Sequence, residues 1–133
     1  MKNLLILITL TSLNSMAQNK KNYFIHFTSD PMVNPSAAIM SINAASEALK
    51  QGHSVTYFAA GDGVRILLKD VIKNLHTVTP HGGGFGKISQ MAENLLLEFS
   101  NEGGFIHVSE GSFATYGINQ DNHKEHLIKV SKI

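Results

Sequence analysis

The 133-residue sequence contains no cysteine. That absence excludes disulfides and all thiol chemistry at once, so whatever the chain does, it does without a sulfur nucleophile. An excess of charge of one sign is missing too. Eleven Lys and Arg stand against ten Asp and Glu, the formal net charge is +1, and the longest basic run is Lys20-Lys21. A nucleic-acid partner needs a basic patch to neutralise phosphates, and none is expected here. No run is long enough to be a membrane span: the apolar stretch from Leu4 to Leu13 is about half the ~20 residues a bilayer-crossing helix requires. Several signatures are likewise lacking. No Gly-x-Ser-x-Gly elbow, no His-x-x-x-His pair and no P-loop Gly-Lys-Ser/Thr occurs, and Gly61-Asp62-Gly63 lacks the third glycine of a dinucleotide fingerprint.

What is present describes an ordinary globular domain, 43% hydrophobic and 16% charged, with material for one modest core. Its first residues read as a targeting segment. Met1-Lys2 is a short positive region, Leu4–Leu13 an apolar one, and Ser15-Met16-Ala17 offers small residues for cleavage before Gln18. Residues 1–17 are therefore expected to be a signal peptide and 18–133 the domain, located in the periplasm or secreted, with no membrane span after cleavage. Without cysteine nearby, a lipid-modified anchor is excluded. Removing Lys2 leaves equal numbers of acidic and basic residues, and an exported domain without disulfides is held by its core, helped by oligomer contacts.

Along the chain, Tyr23–Thr28 reads as a central strand because it is nearly all apolar, and Ser29-Asp30-Pro31 ends it. Asn34-Pro35 predicts a helix cap, and the helix runs to about Lys50 with Gly52 closing it. Ala38, Ile42, Ala45 and Leu49 form its stripe, widened by Ala37, Met40, Ala44 and Ala48. Ser54–Ala60 is a second strand. Gly61-Asp62-Gly63 turns the chain into a helix marked by Val64, Leu67, Leu68, Val71, Ile72 and Leu75. His76–Thr79 predicts a short edge strand, and the Gly82–Gly86 cluster a lid or linker. Ile88, Met91, Ala92, Leu95, Leu96 and Phe99 mark an amphipathic helix stopped by Gly103-Gly104. Phe105–Val108 is a buried strand followed by a short helix that Gly117 ends, and Leu127–Val130 suggests a last strand. The alternation implies a single-domain, three-layer α/β/α sandwich with a mostly parallel sheet and flavodoxin-like winding.

Three pieces, Ile25-His26-Phe27-Thr28-Ser29-Asp30-Pro31, Gly61-Asp62-Gly63-Val64-Arg65 and Ser109–Ile118, resemble DsrE/DsrF-like proteins, with Gly-Asp-Gly-Val-Arg the most specific. The likeness covers most of residues 23–130. It implies a small α/β domain, a homotrimer or hexamer, and a link to sulfur transfer and oxidation. The sulfur-carrying members place cysteine in the loop after the penultimate strand, ahead of an Ala-Gly-Ile-type ending. Here that loop reads Ser109-Glu110-Gly111-Ser112, before Tyr116-Gly117-Ile118. A helix N-terminus lowers a thiol pKa from ~8.5 to between ~3.5 and 7.5, but serine forms no persulfide, so the family's transfer mechanism is lost.

The residues singled out divide as follows. Ser109 and Ser112 are weak nucleophile candidates, with His107 two residues upstream on the same strand face as the base. No carboxylate orienter is specified, and the preferred reading has Ser109 capping the short helix and Ser112 in its first turn. Asp62 reads as a helix cap, with a ligand role as the alternative. Arg65 either binds an anion in the cleft or lies on the surface. A ligand site is expected from Gly61, Asp62, Gly63, Arg65, His26, His81, Ser109, Gly111 and Ser112, lying between the Gly61–Arg65 turn, the Gly82–Gly86 loop and the Ser109–Ser112 turn. Of seven histidines, His26 and His81 are the weak metal candidates; His123 and His126 are three apart with Glu125 between them. No cofactor is expected. The function implied is an exported, non-catalytic binding or sulfur-metabolism accessory protein that takes a small molecule or anion. The alternatives are a hydrolase or transferase using Ser109 or a histidine-bound metal, and a cysteine-free structural subunit of a heteromeric sulfur-handling complex.

Overall fold

The computed structural model describes residues 19–76 and 87–130. Its order is β1 (Asn22–Phe27), α1 (Pro35–Lys50), β2 (Ser54–Ala59), a 3-10 segment (Gly61–Leu67), α2 (Lys69–Ile72), α3 (Lys87–Asn101), β3 (Phe105–Val108), α4 (Glu110–Thr115) and α5 (His123–His126). The three strands are parallel in the order β1-β2-β3. The single-domain α/β class is as the sequence implied. The position of β1 is not: it pairs only with β2 and lies at an edge among the described residues, so β2 is central. Apolar composition misled here because Tyr23, Phe24 and His26 stay exposed and, of β1's rings, only Phe27 is buried.

One face of the sheet carries the core. Val55, Tyr57 and Ala59 alternate inward on β2 and align with Ile25, Phe27 and Ile106 on the flanking strands. Helices α1 and α3 pack against each other over this face. The alternation implied helices on both faces; among the described residues the two long helices share one. The opposite face bears Phe24, His26, Phe58, Phe105 and His107. There His26 stacks on Phe58 at 5.3 Å and Phe105 on His107 at 6.4 Å.

The start of α1 follows its sequence signals. Asn34 Oδ1 accepts from the Ala37 N–H at 3.1 Å, Pro35 occupies the first turn, and Gly52 takes φ 84° just beyond the end. The stripe differs from expectation on one side. Ile39 and Ser46 are buried beside Ala38, Ile42 and Ala45, while Met40 and Ala44 are exposed. At 100° per residue, Ile39 and Ser46 lie on one flank of that stripe, Ala37 and Ala48 pack partly buried on the other, and Met40 and Ala44 turn away from it. Tyr57 is fully buried. Because Ser41 Oγ donates to the Ala38 carbonyl at 2.8 Å, the Tyr57 hydroxyl is the donor in its 2.9 Å bond to Ser41 Oγ.

After β2 the expected single helix is split into the 3-10 segment and α2 by an extended Leu68. Val64, Ile66, Leu67, Val71, Ile72 and Leu75 are all buried, more positions than one helical stripe can present. Leu68 instead forms an antiparallel bridge with Leu127, and the Ile128 N–H donates to the Leu67 carbonyl at 3.0 Å. Residues 127–130 therefore contribute one bridge rather than a last strand. His76 is not in a strand; Thr77–Thr79, His81 and the Gly82–Gly86 loop lie outside the described residues. The Gly103-Gly104 stop is present: Gly103 takes φ 99° just past α3, and packing requires the second glycine. A Cβ on Gly104 would stand 2.4 Å from the Phe99 ring, and Phe99 is in the core.

Candidate functional site

The carboxyl ends of the parallel strands converge, as strand ends do where open α/β sheets gather their loops. Ala60 N–H donates to the Phe27 carbonyl at 3.0 Å, Gly63 N–H to Thr28 at 3.1 Å and Ser109 N–H to Ala59 at 3.0 Å. Gly63 fits because it lacks a side chain: a Cβ would stand 2.3 Å from the Phe27 carbonyl oxygen. Gly61 turns with φ 53°.

On this platform two of the three expected turns meet. Ser112 Oγ accepts from the Gly61 N–H at 2.8 Å, and Ser109 Oγ accepts from the Ser112 N–H at 3.3 Å. Ser109 is thus the cap of α4 and Ser112 sits in its first turn, with both hydroxyls engaged by backbone donors. Gly111 is exposed, and a Cβ there would find only Ser109 Oγ, at 3.9 Å.

Asp62 is not the helix cap. The 3-10 segment follows Ala60 without any side-chain cap, and the Asp62 carboxylate accepts from the Tyr116 hydroxyl at the end of α4. A 3-10 turn presents its N–H groups differently from the α-helix expected there, and that bond draws the carboxylate toward α4. The same bond, with the negative charge behind it, raises the Tyr116 pKa above the ordinary phenol value. Arg65 is neither a free anion binder nor a loose surface cation. Its guanidinium pairs with Asp30 and lies 5.6 Å from the centre of the Tyr116 ring. Asp30 is fixed in turn, its other oxygen accepting from the Met32 N–H at 2.9 Å. Asp30 and Tyr116 are the members the sequence reading missed. Both lay in quoted segments, and the convergence of strand ends was the signal that could have found them.

The remaining candidates do not join this cluster. His26 is exposed on the open sheet face, with Phe24 and Phe58 as its ring neighbours, and its strand is an edge one rather than central. His107 is exposed beside Phe105 on that same face, and no hydrogen bond joins it to Ser109 among the described residues. Nor do the described residues bring three or more His, Cys, Asp or Glu side chains together in a way that could hold a metal ion. His81 lies outside them.

Open space lies on the other side of α4. A groove of about 440 Å³ is walled by apolar Val108, Phe113, Ile118 and Leu127, with Glu110 and His123 as its ionisable members. Helical spacing separates it from the cluster, since Glu110 and Ala114 are nearly opposite Ser112 on the α4 wheel. The His123 tautomer follows from its bond. Nδ1 lies 2.8 Å from the Gln120 carbonyl, which only accepts, so Nδ1 carries the hydrogen and the neutral ring keeps its acceptor at Nε2.

A parallel α/β domain whose loops knit together at the carboxyl edge of the sheet defines the class. Within it, a family model described as DsrE/DsrF-like matches residues 21–133, and the chain belongs to that family. It is a member with no cysteine anywhere in the matched stretch. A search of the curated proteins gives no match.

Proposed function

We propose that this chain is an exported, non-catalytic DsrE/F-like binding protein, an accessory of sulfur metabolism that carries no sulfur itself. The observation that supports the reading best is the state of the two serines standing where the resemblance puts thiols. Ser109 Oγ caps α4 and Ser112 Oγ holds the Gly61 N–H, and neither has a histidine partner among the described residues. A hydroxyl so engaged, without a base to take its proton, is not an activated nucleophile. The charge on Arg65 is met by Asp30, and Asp30, Asp62 and Arg65 together carry an excess of negative charge. The cluster therefore serves as a clasp for α4 and disfavours an anion, and the groove beside it is the better receptacle for a small molecule. Association into a trimer or hexamer is supported by the sheet face on which Phe24 and Phe105 remain 63% and 50% exposed. Export rests on the Met1–Ala17 sequence pattern.

The test is sulfur loading. Incubated with polysulfide and examined by intact mass, the protein is expected to gain no sulfur, whereas Ser109→Cys or Ser112→Cys is expected to gain one persulfide sulfur. Uptake by the natural sequence comparable with that of the cysteine variants would overturn the reading.

A further inference from the structure

The groove beside α4 has a chemical bias that its wall makes legible. Val108, Phe113, Ile118 and Leu127 offer an apolar floor, and the 440 Å³ volume is within the usual range for a small-molecule site. Its ionisable equipment accepts rather than donates. Glu110 presents a carboxylate with no hydrogen-bond partner among the described residues, and the neutral His123 ring has its lone pair at Nε2 because Nδ1–H is committed to Gln120. No lysine or arginine is among the described residues of the wall. A carboxylate ligand would meet the like charge of Glu110 there, with the neutral Asn119 and Gln120 amides as its side-chain donors and no cation to pair with, a costly outcome for a charge beside apolar surface.

We propose that this groove binds an amphipathic primary amine: an aromatic or aliphatic body against Phe113, Ile118 and Leu127, and an ammonium group at the Glu110 carboxylate. The ammonium has three donors for the acceptors that line the groove, Glu110 and His123 Nε2 among them, and a charge-assisted bond to the carboxylate supplies the selectivity. The proposal rests on the reading of the chain as a binding protein and names the ligand class for it. It does not use the clasp residues, because Ser112 and Tyr116 are occupied with the 3-10 segment.

Tryptamine, indolepropionate and tryptophol share one ring system and differ in the charge of the head group, so they test the idea through backbone-amide NMR titration of the purified protein. Tryptamine is expected to give saturable shifts at Phe113, Ala114 and Ile118–Gln120, with indolepropionate about tenfold weaker or more. Glu110→Gln is expected to shrink that preference below about threefold, since only the charge is removed. Ala114→Trp, which fills the groove from an exposed helix position, is expected to abolish binding of all three. Indolepropionate binding as tightly as tryptamine, a preference that survives Glu110→Gln, or no saturable shift would each overturn the proposal. Shifts confined to Gly61–Arg65 and Ser112 would also overturn it while leaving the binding reading intact, and sulfur loading tests that reading separately.

Discussion

At the scale of single residues, two glycines in the clasp region have opposite requirements. Gly63 lies against the β1 backbone, so Gly63→Ala forces a methyl group onto the Phe27 carbonyl and is expected to cost about 1–3 kcal/mol, read as a lowered urea midpoint. Gly111 stands in open space in the first turn of α4 and needs no special backbone angle. Gly111→Ala is therefore expected to raise stability by about 0.5–1 kcal/mol in the same measurement. The sequence showed both as glycines of a candidate site and could not separate them. What distinguishes them is a backbone approach between segments 36 residues apart, Phe27 and Gly63, and no local pattern encodes that distance.

At the scale of elements, local signals succeeded wherever the element was decided locally. Asn34-Pro35, Gly52, Ser109 and Gly117 placed the ends of α1 and α4 because a cap or a left-handed turn is a matter of a few adjacent residues. They failed where tertiary contact decided. Val64, Leu67, Leu68, Val71, Ile72 and Leu75 look like one amphipathic helix, but Ile66, on the opposite side of that wheel, is buried too, and the helix breaks at Leu68, whose backbone pairs with Leu127. Asp62 was misread for the same reason, since its partner is on α4, 54 residues away. Helix α1 carries a further consequence. Ser46 Oγ is buried without a partner among the described residues, so it bears a desolvation penalty with nothing to offset it. Ser46→Ala is expected to leave the fold intact and raise stability by about 1 kcal/mol, checked by chemical denaturation.

At the scale of the molecule, one buried phenol sets an alkaline limit. Burial raises the Tyr57 pKa above the ordinary value near 10, against a smaller lowering by its bond to Ser41. A group whose pKa is higher folded than unfolded contributes stability that is complete below the unfolded value and lost as pH rises past it. The melting temperature is expected to hold steady up to pH ~10 and to fall above it, as Tyr57 is drawn to ionise. Tyr57→Phe cannot ionise there, so its curve should start lower, for want of the Ser41 bond, and fall less steeply with alkali. The fold class was legible in the sequence because strand-helix alternation is a whole-chain property. The sharing of one sheet face by both long helices was not, since either face satisfies the same periodicity. One last consequence concerns time rather than stability. The clasp joins Gly61 to Ser112 and Asp62 to Tyr116, so it cannot close until β3 has docked and carried α4 into place. Protection of the Gly61 amide against hydrogen exchange should consequently arise at the end of refolding, and in the native protein its exchange should report opening of α4 before the core gives way.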